Sequence, residues 1–174
     1  MPLHFYIREI VNDLHVDEKK NDILGELDFL NSLIGLAKSF VEKKNIQALL
    51  THIQNDIFVI QAHIADPKNA WHKPPGITLD HIIVLQKETY KIESRLKKIN
   101  HFVVPEGMPA ACLMHCARTV ARQIERKIPG YLKKPTVLAM YLDRVAGLMF
   151  ALARFVNKRA GIQERPPTYG QRIQ

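Results

Sequence analysis

Apolar positions in this chain recur at intervals of three and four residues, the period of a helix with one buried face. Sustained two-residue alternation is scarce. Leu24, Leu27, Leu30, Leu33–Ile34 and Ala37 form one stripe that runs to about Val41. Ile46, Leu49–Leu50, Ile53, Ile57, Ile60 and Ile64 form a second, which ends before Asp66-Pro67. Leu79, Ile82–Ile83, Leu85, Tyr90, Ile92 and Leu96 form a third. The pattern predicts a fourth helix over Pro109–Ile128, halted by Pro129-Gly130, and a fifth over Thr136–Arg159, with Pro135 just before it. Residues 3–14 read as a short amphipathic helix through Leu3, Ile7, Ile10–Val11 and Leu14. The Pro- and His-rich stretch Asp66–Gly76 reads as a loop that Trp71 pins to the body, and Arg165-Pro-Pro-Thr-Tyr-Gly as a loose tail. The expected fold is all-α, a five-helix up-and-down bundle. Residues 1–22 form an atypical N-terminal segment, 23–160 the bundle and 161–174 the tail.

A chain of 174 residues is long enough for one domain with a substantial core. Its 25 Lys and Arg against 17 Asp and Glu give a net charge of +8, which favours anionic partners. Lysine pairs at Lys19–Lys20, Lys43–Lys44, Lys97–Lys98 and Lys133–Lys134 fall mostly near predicted helix ends, where they offset the helix dipole. No basic patch is interleaved with aromatics, so nucleic-acid binding has weak support. Apolar runs are too short and interrupted to span a bilayer, and no charged-then-apolar leader opens the sequence. No membrane association is expected, and the cytosol is the expected compartment. Cys112 and Cys116, four apart on one predicted helix, are badly placed for a disulfide, which agrees with a reducing compartment.

The densest chemistry lies in His101–Arg126, HFVVPEGMPAACLMHCARTVARQIER. On a helix Arg118, Arg122 and Glu125 share one face. Two guanidiniums there can fork a polyphosphate, and the carboxylate can steady them or help hold magnesium. The same three residues also suit a plain solvated stripe. Cys112-x-x-His115-Cys116 offers at most three metal ligands, all on one helix, without a second pair to complete a tetrahedron. A di-iron bundle needs Glu-x-x-His, which the sequence lacks.

Four blocks carry a resemblance. Phe102-Val-Val-Pro105-x-Gly107 is followed by His115-x-Ala-Arg118-Thr-Val-x-Arg122-x-x-Glu125-Arg126. Gly25-x-Leu-Asp28-x-x-Asn31-Ser-x-Ile-Gly35-Leu-Ala and Ile53-Gln54-Asn55-Asp56-Ile-Phe58 precede them. Tyr141-Leu-x-Arg144 leads through Phe150-x-Leu-Ala-Arg154 to Asn157. In this order, over about residues 23–160, they resemble the PduO-type ATP:corrinoid adenosyltransferases.

The resemblance implies a homotrimeric five-helix bundle with active sites between subunits. It implies transfer of the 5′-deoxyadenosyl group of ATP to cob(I)alamin or a related corrinoid, with release of triphosphate. Magnesium accompanies the ATP, a reductase supplies electrons, and a cobalamin-dependent mutase or dehydratase is the expected consumer. Phe102, with Val103 and Val104, matches the apolar wall under the corrin that keeps a lower ligand off cobalt; without its flanking motif, Phe102 reads as a core residue at a helix end. Arg118 and Arg122 match the family's arginines, and Asp28 a carboxylate that pairs with the first of them. Glu125 matches a magnesium-side carboxylate and Arg126 its support, while Asn31 is expected to pack or cap. His115 also matches a family histidine.

The chain departs from the family pattern mainly in the ATP half. The Thr/Gly/Asp-rich phosphate loop TGDxGxT has no counterpart, and no Walker-type loop occurs. Glu106 stands for the first of two glycines, Gln123 for an arginine, Asp143 for an Asn and Gly147 for an Asp. Asp143 belongs to the ATP-binding set by position, yet its charge opposes a triphosphate. The alternative implied by these departures is a relative that keeps the trimer and binds a corrinoid or nucleotide without turnover.

Overall fold

The apolar stripes meet in a computed structural model that describes the backbone of residues 3–65, 76–131 and 137–170 and the side chains of 18–65, 76–130 and 137–170. Its helices are α1 (Leu3–Ser39), α2 (Lys44–Ala65), α3 (Leu79–Glu93), α4 (Pro109–Tyr131) and α5 (Val137–Arg159). No strand occurs among the described residues. Residues 66–75, which hold most of the expected loop and Trp71, and residues 132–136 with Lys133–Lys134 lie outside them.

Contacts between helices fix their directions. Gln47 donates to the Val41 carbonyl (2.5 Å), Lys38 to Gln54 Oε1 (2.7 Å) and Gln54 to the Asn31 carbonyl (3.2 Å). These pairs descend α1 while climbing α2, so the two are antiparallel. Arg122 meets Asp143 at one level of the α4–α5 pair and Asn157 meets Met108 at the other, so this pair is antiparallel too. Lys97 and Arg95, at the end of α3, give their carbonyls to Arg154 and Lys158, near the end of α5. α3 and α5 are therefore parallel, as an up-and-down bundle requires.

The predicted stripes make the core. Leu27, Leu30 and Ile34 of α1, Leu50, Ile53, Ile57 and Ile60 of α2, and Leu85 of α3 are fully buried. The buried positions of α4 are mixed in size, with Ala111, Ala117 and Ala121 beside Met114, Ile124 and Ile128. α4 packs on α1 and on α5, where Ala146, Ala151 and Ala153 are buried beside Val145, Leu148, Met149 and Leu152. Small residues among large ones let helix axes approach closely at high packing density.

Three expectations need correction. Residues 3–14 are not a separate helix, since α1 runs unbroken for 37 residues. The reason is local: His15–Asp22 contains neither Gly nor Pro, so nothing stops the helix. α4 passes through Pro129 to Tyr131, because a proline in the last turn forfeits few bonds. The tail is not loose at its start. The Arg165 carbonyl accepts from Val104 N–H (3.0 Å) and its guanidinium donates to Glu106 (2.7 and 2.6 Å), while the preceding Glu164 receives two bonds from Arg154 (2.5 and 3.0 Å).

One buried polar contact ties α2 to α5. Tyr141, with no exposed surface, donates its hydroxyl to Asp56 Oδ2 at 2.6 Å, and His52 Nε2 lies 3.5 Å from the same oxygen. Burial first, and the bond to Asp56 second, push the Tyr141 hydroxyl pKa far above its usual 10. Tyr141→Phe strips this buried carboxylate of its shortest bond and should cost about 1.5–3 kcal/mol in urea unfolding. An unchanged midpoint would show that Asp56 is solvated well enough to stand alone.

Candidate functional site

α4 presents Arg118 and Arg122 to an open groove of about 470 Å³. Asp143, Arg144, Ala146, Gly147 and Phe150 of α5 form its floor, and Gln86, Thr89 and Glu93 of α3 its far side. A side chain at Gly147 would meet nothing within 4 Å, so the glycine leaves room at the floor.

Arg122 is closely paired. Its Nη1 lies 2.5 Å from Asp143 Oδ1 and 3.1 Å from Glu125 Oε2, the second an ion pair without the alignment of a hydrogen bond. The other Asp143 oxygen accepts from Arg144 at 2.7 Å. Asp143 thus bridges two guanidiniums from neighbouring helices. Arg118 differs: among the described residues it makes one long hydrogen bond, to Thr119 (3.4 Å), and its buried Nε has no partner there. Three arginines and two carboxylates line the groove, leaving it cationic by one charge on the Arg118 side. Such a surface can seat an anion with several oxygens, at the cost of displacing or repelling Asp143.

Behind Arg118, His115 is 5% exposed, with its ring edge-on to Phe150 (centroids 6.0 Å apart). Burial chiefly, then the Arg118 charge, hold its pKa below 6.5, against a smaller pull upward from Glu164.

A family model described as cobalamin adenosyltransferase matches residues 14–156. The chain belongs to the cobalamin adenosyltransferase family. A corrinoid adenosyltransferase of Mycobacterium leprae is 34% identical over 152 residues, covering 81% of this chain and 80% of that protein. A corrinoid adenosyltransferase of Bacillus subtilis is 29% identical over 153 residues, covering 84% and 78%. In fold, the chain is similar to a variant PduO-type ATP:corrinoid adenosyltransferase from Lactobacillus reuteri complexed with cobalamin and ATP. The TM-score is 0.78 at 21% identity, covering 88% of this chain and 86% of that one.

Within this cobalamin adenosyltransferase fold the predicted site residues separate into two places. Arg118, Arg122 and Asp143 meet at the groove, with Glu125 against Arg122. Arg126 is exposed one turn further and does not line the groove. Phe102 lies before α4, 78% exposed, which excludes a core role, and Val103 and Val104 are half-buried beside it. None of the three lines the groove. Asp28 is exposed on α1 and makes no hydrogen bond or ion pair with the described residues, so its expected partnership with Arg118 does not form within one chain. Asn31 is buried with its Oδ1 unpartnered, between α1 and α2 rather than at the groove. Cys112 and Cys116 are free thiols, and no group of three metal-ligating side chains gathers among the described residues.

Sequence reasoning missed Arg144, Glu93, Gln86 and Thr89. Arg144 follows Asp143 directly in the sequence, and that adjacency is its signal. The α3 residues gave none, since only the α3–α5 packing brings them to the groove.

Because the folded chain disfavours the His115 imidazolium, unfolded chains take up this proton first as pH falls below 6.5. Stability should therefore be full above that value and decline below it. His115→Gln should flatten the slope between about pH 7.5 and 5.5 in urea titrations. Equal slopes in both proteins would show that the folded site accepts the proton.

Proposed function

We propose that the chain transfers the 5′-deoxyadenosyl group of ATP to cob(I)alamin or a related corrinoid, forming adenosylcobalamin. The observation that carries this reading is the pairing of Arg118 and Arg122 on one groove, inside the segment that the adenosyltransferase family model covers. In the reaction the Co(I) electron pair forms the Co–C bond at C5′ while the C5′–O bond breaks and triphosphate leaves. Arg118 and Arg122 hold the triphosphate and stabilise charge on the departing oxygen. Phe102, Val103 and Val104 offer the corrin an apolar lower face, where no donor atom can return to cobalt. Asp28 answers Arg118 from a neighbouring subunit.

Glu125 and Asp143 both rest on Arg122, and no third ligand joins them among the described residues. The described residues build no cation cage, and magnesium arrives as part of the ATP substrate, with Glu125 as the carboxylate on its side.

The working assembly is a homotrimer with sites between subunits. Two features support it: the wall and the groove are separate within one chain, and exposed Phe29, Phe40, Phe58 and Tyr90 spread apolar surface over α1–α3. Electrons come from a reductase, and the product passes to a cobalamin-dependent mutase or dehydratase. No described helix is long and apolar enough to cross a membrane, and the free cysteines fit reaction in the cytosol.

The test is an anaerobic assay with chemically reduced cob(I)alamin, ATP and magnesium, read by growth of the adenosylcobalamin spectrum. Arg122→Ala should lower turnover about a hundredfold or more with the helical signal intact. Normal turnover in that variant would remove Arg122 from phosphate binding, and no turnover in wild-type trimer would make the chain a silent relative. Asp143→Asn should act in the opposite direction, lowering the KM for ATP about three- to fivefold, since both groups of the Arg122–Asp143 pair are partly exposed and screened. A raised KM would mean that Asp143 binds the substrate rather than competing with it.

A further inference from the structure

The core does not hold Phe102, so its ring is placed by the chain on either side. Upstream, Arg154 holds the Lys97 carbonyl (2.7 Å) and His101 Nδ1 lies 2.9 Å from the Phe102 carbonyl. Downstream, two ties act on the backbone of residues 103–108. The first is Asn157 of α5, only 4% exposed. Its Nδ2 donates to the Glu106 carbonyl at 2.8 Å and its Oδ1 accepts from Met108 N–H at 3.0 Å. Gly107 lies between them at φ +113°, and a Cβ there would sit 2.2 Å from Asn157 Oδ1. Only glycine fits this clamp. It fixes residues 106–108, downstream of the wall.

The second tie reaches closer. The Arg165 carbonyl accepts from Val104 N–H at 3.0 Å. The Arg165 guanidinium forks Glu106, with Nε 2.7 Å from Oε1 and Nη2 2.6 Å from Oε2. Arg165 is itself well placed to act as an anchor. Its neighbour Glu164 is gripped by Arg154, which is 6% exposed, and Ile162 is bonded to the Asn157 carbonyl. A buried arginine thus holds the strap that holds the loop. A glycine at position 106 has no carboxylate to offer, so the fork depends on the residue by which this chain departs from the family pattern.

We propose that Arg165 is a positioning residue for the Phe102 wall, acting through Glu106 and Val104. The proposal rests on the adenosyltransferase reading above. Only Val103 separates the tied Val104 from Phe102, so the strap sets how far the ring stands from the body. The fork is planar and bidentate, which fixes direction as well as distance. The hydrogen bond from Arg165 holds the Glu106 carboxyl below its usual 4.5, so the pair is charged throughout the neutral range. Losing the fork leaves the Arg165 carbonyl to hold Val104 without its side-chain anchor, which loosens the wall. It leaves the groove of α3, α4 and α5 untouched, because neither Glu106 nor Arg165 lines it.

The test separates the two substrates. Arg165→Ala should raise the KM for the corrinoid about two- to fivefold and leave the KM for ATP unchanged. With cob(II)alamin and ATP bound, it should also lower the four-coordinate fraction in the electronic spectrum. Arg165→Lys keeps the charge but loses the fork, and should fall between wild type and Arg165→Ala. Glu106→Gln should reproduce Arg165→Ala, and the double variant should be no worse than either single one. Corrinoid KM and four-coordinate fraction unchanged in Arg165→Ala would overturn the proposal. So would parallel rises in both KM values with a lowered Tm, which is what a merely structural strap would give. Wild type without turnover or four-coordinate cobalt overturns the reaction reading, and this proposal with it. Normal wild type with an indifferent Arg165→Ala overturns the proposal alone.

Discussion

The close packing of α4 on α5 is the constraint from which the rest follows. Ala111, Ala117 and Ala121 of α4 and Val145, Leu148, Met149 and Leu152 of α5 are all buried in the core that these two helices share. At one level of this pair Arg122 is within reach of Asp143, and at the other Asn157 is within reach of Glu106 and Met108. Groove and wall loop are therefore referenced to the same two helices. Larger side chains at the alanines would part the helices and loosen both at once.

Electrostatics then divide the groove. One carboxylate serves two guanidiniums, Arg122 and Arg144, while Arg118 has no carboxylate partner among the described residues. Within one subunit, an incoming polyanion meets an open cation on one side and an occupied one on the other. Selectivity in such a groove comes as much from what must be displaced as from what attracts. The neutral His115 behind Arg118 belongs to the same arrangement, since a second positive charge there would lack both solvent and partner.

Much of the bundle was legible because burial imposes a period. The stripes over α2, α3 and α5 predicted those helices to within a few residues, as every third or fourth residue had to face the core. α1 was under-read, since its polar stretch around Glu18 to Asp22 carries no stripe, yet nothing there stops a helix. The face holding Arg118, Arg122 and Glu125 followed from helical spacing, but the groove needed Glu93 and Asp143, whose approach depends on which helices pack together. The Glu106–Arg165 fork joins residues 59 apart and left no periodic trace. Proline-rich sequence made the tail look free, whereas two carboxylates, Glu106 and Glu164, fasten it.

The wall loop also has a place in time. Glu106 leaves the ribosome 51 residues before Asn157 and 59 before Arg165. Until α5 has been made and docked, nothing described in the structure fixes Gly107 in its left-handed conformation or forks Glu106. Contacts of such long sequence separation form only after the intervening chain has lost its freedom. The groove residues of α5, Asp143 to Phe150, are made before Asn157 and Arg165, so the chain around Phe102 is still a flexible link between α3 and α4 when the groove helices first become available to pack. In a nascent chain the fixed position of Phe102 is among the last features to exist.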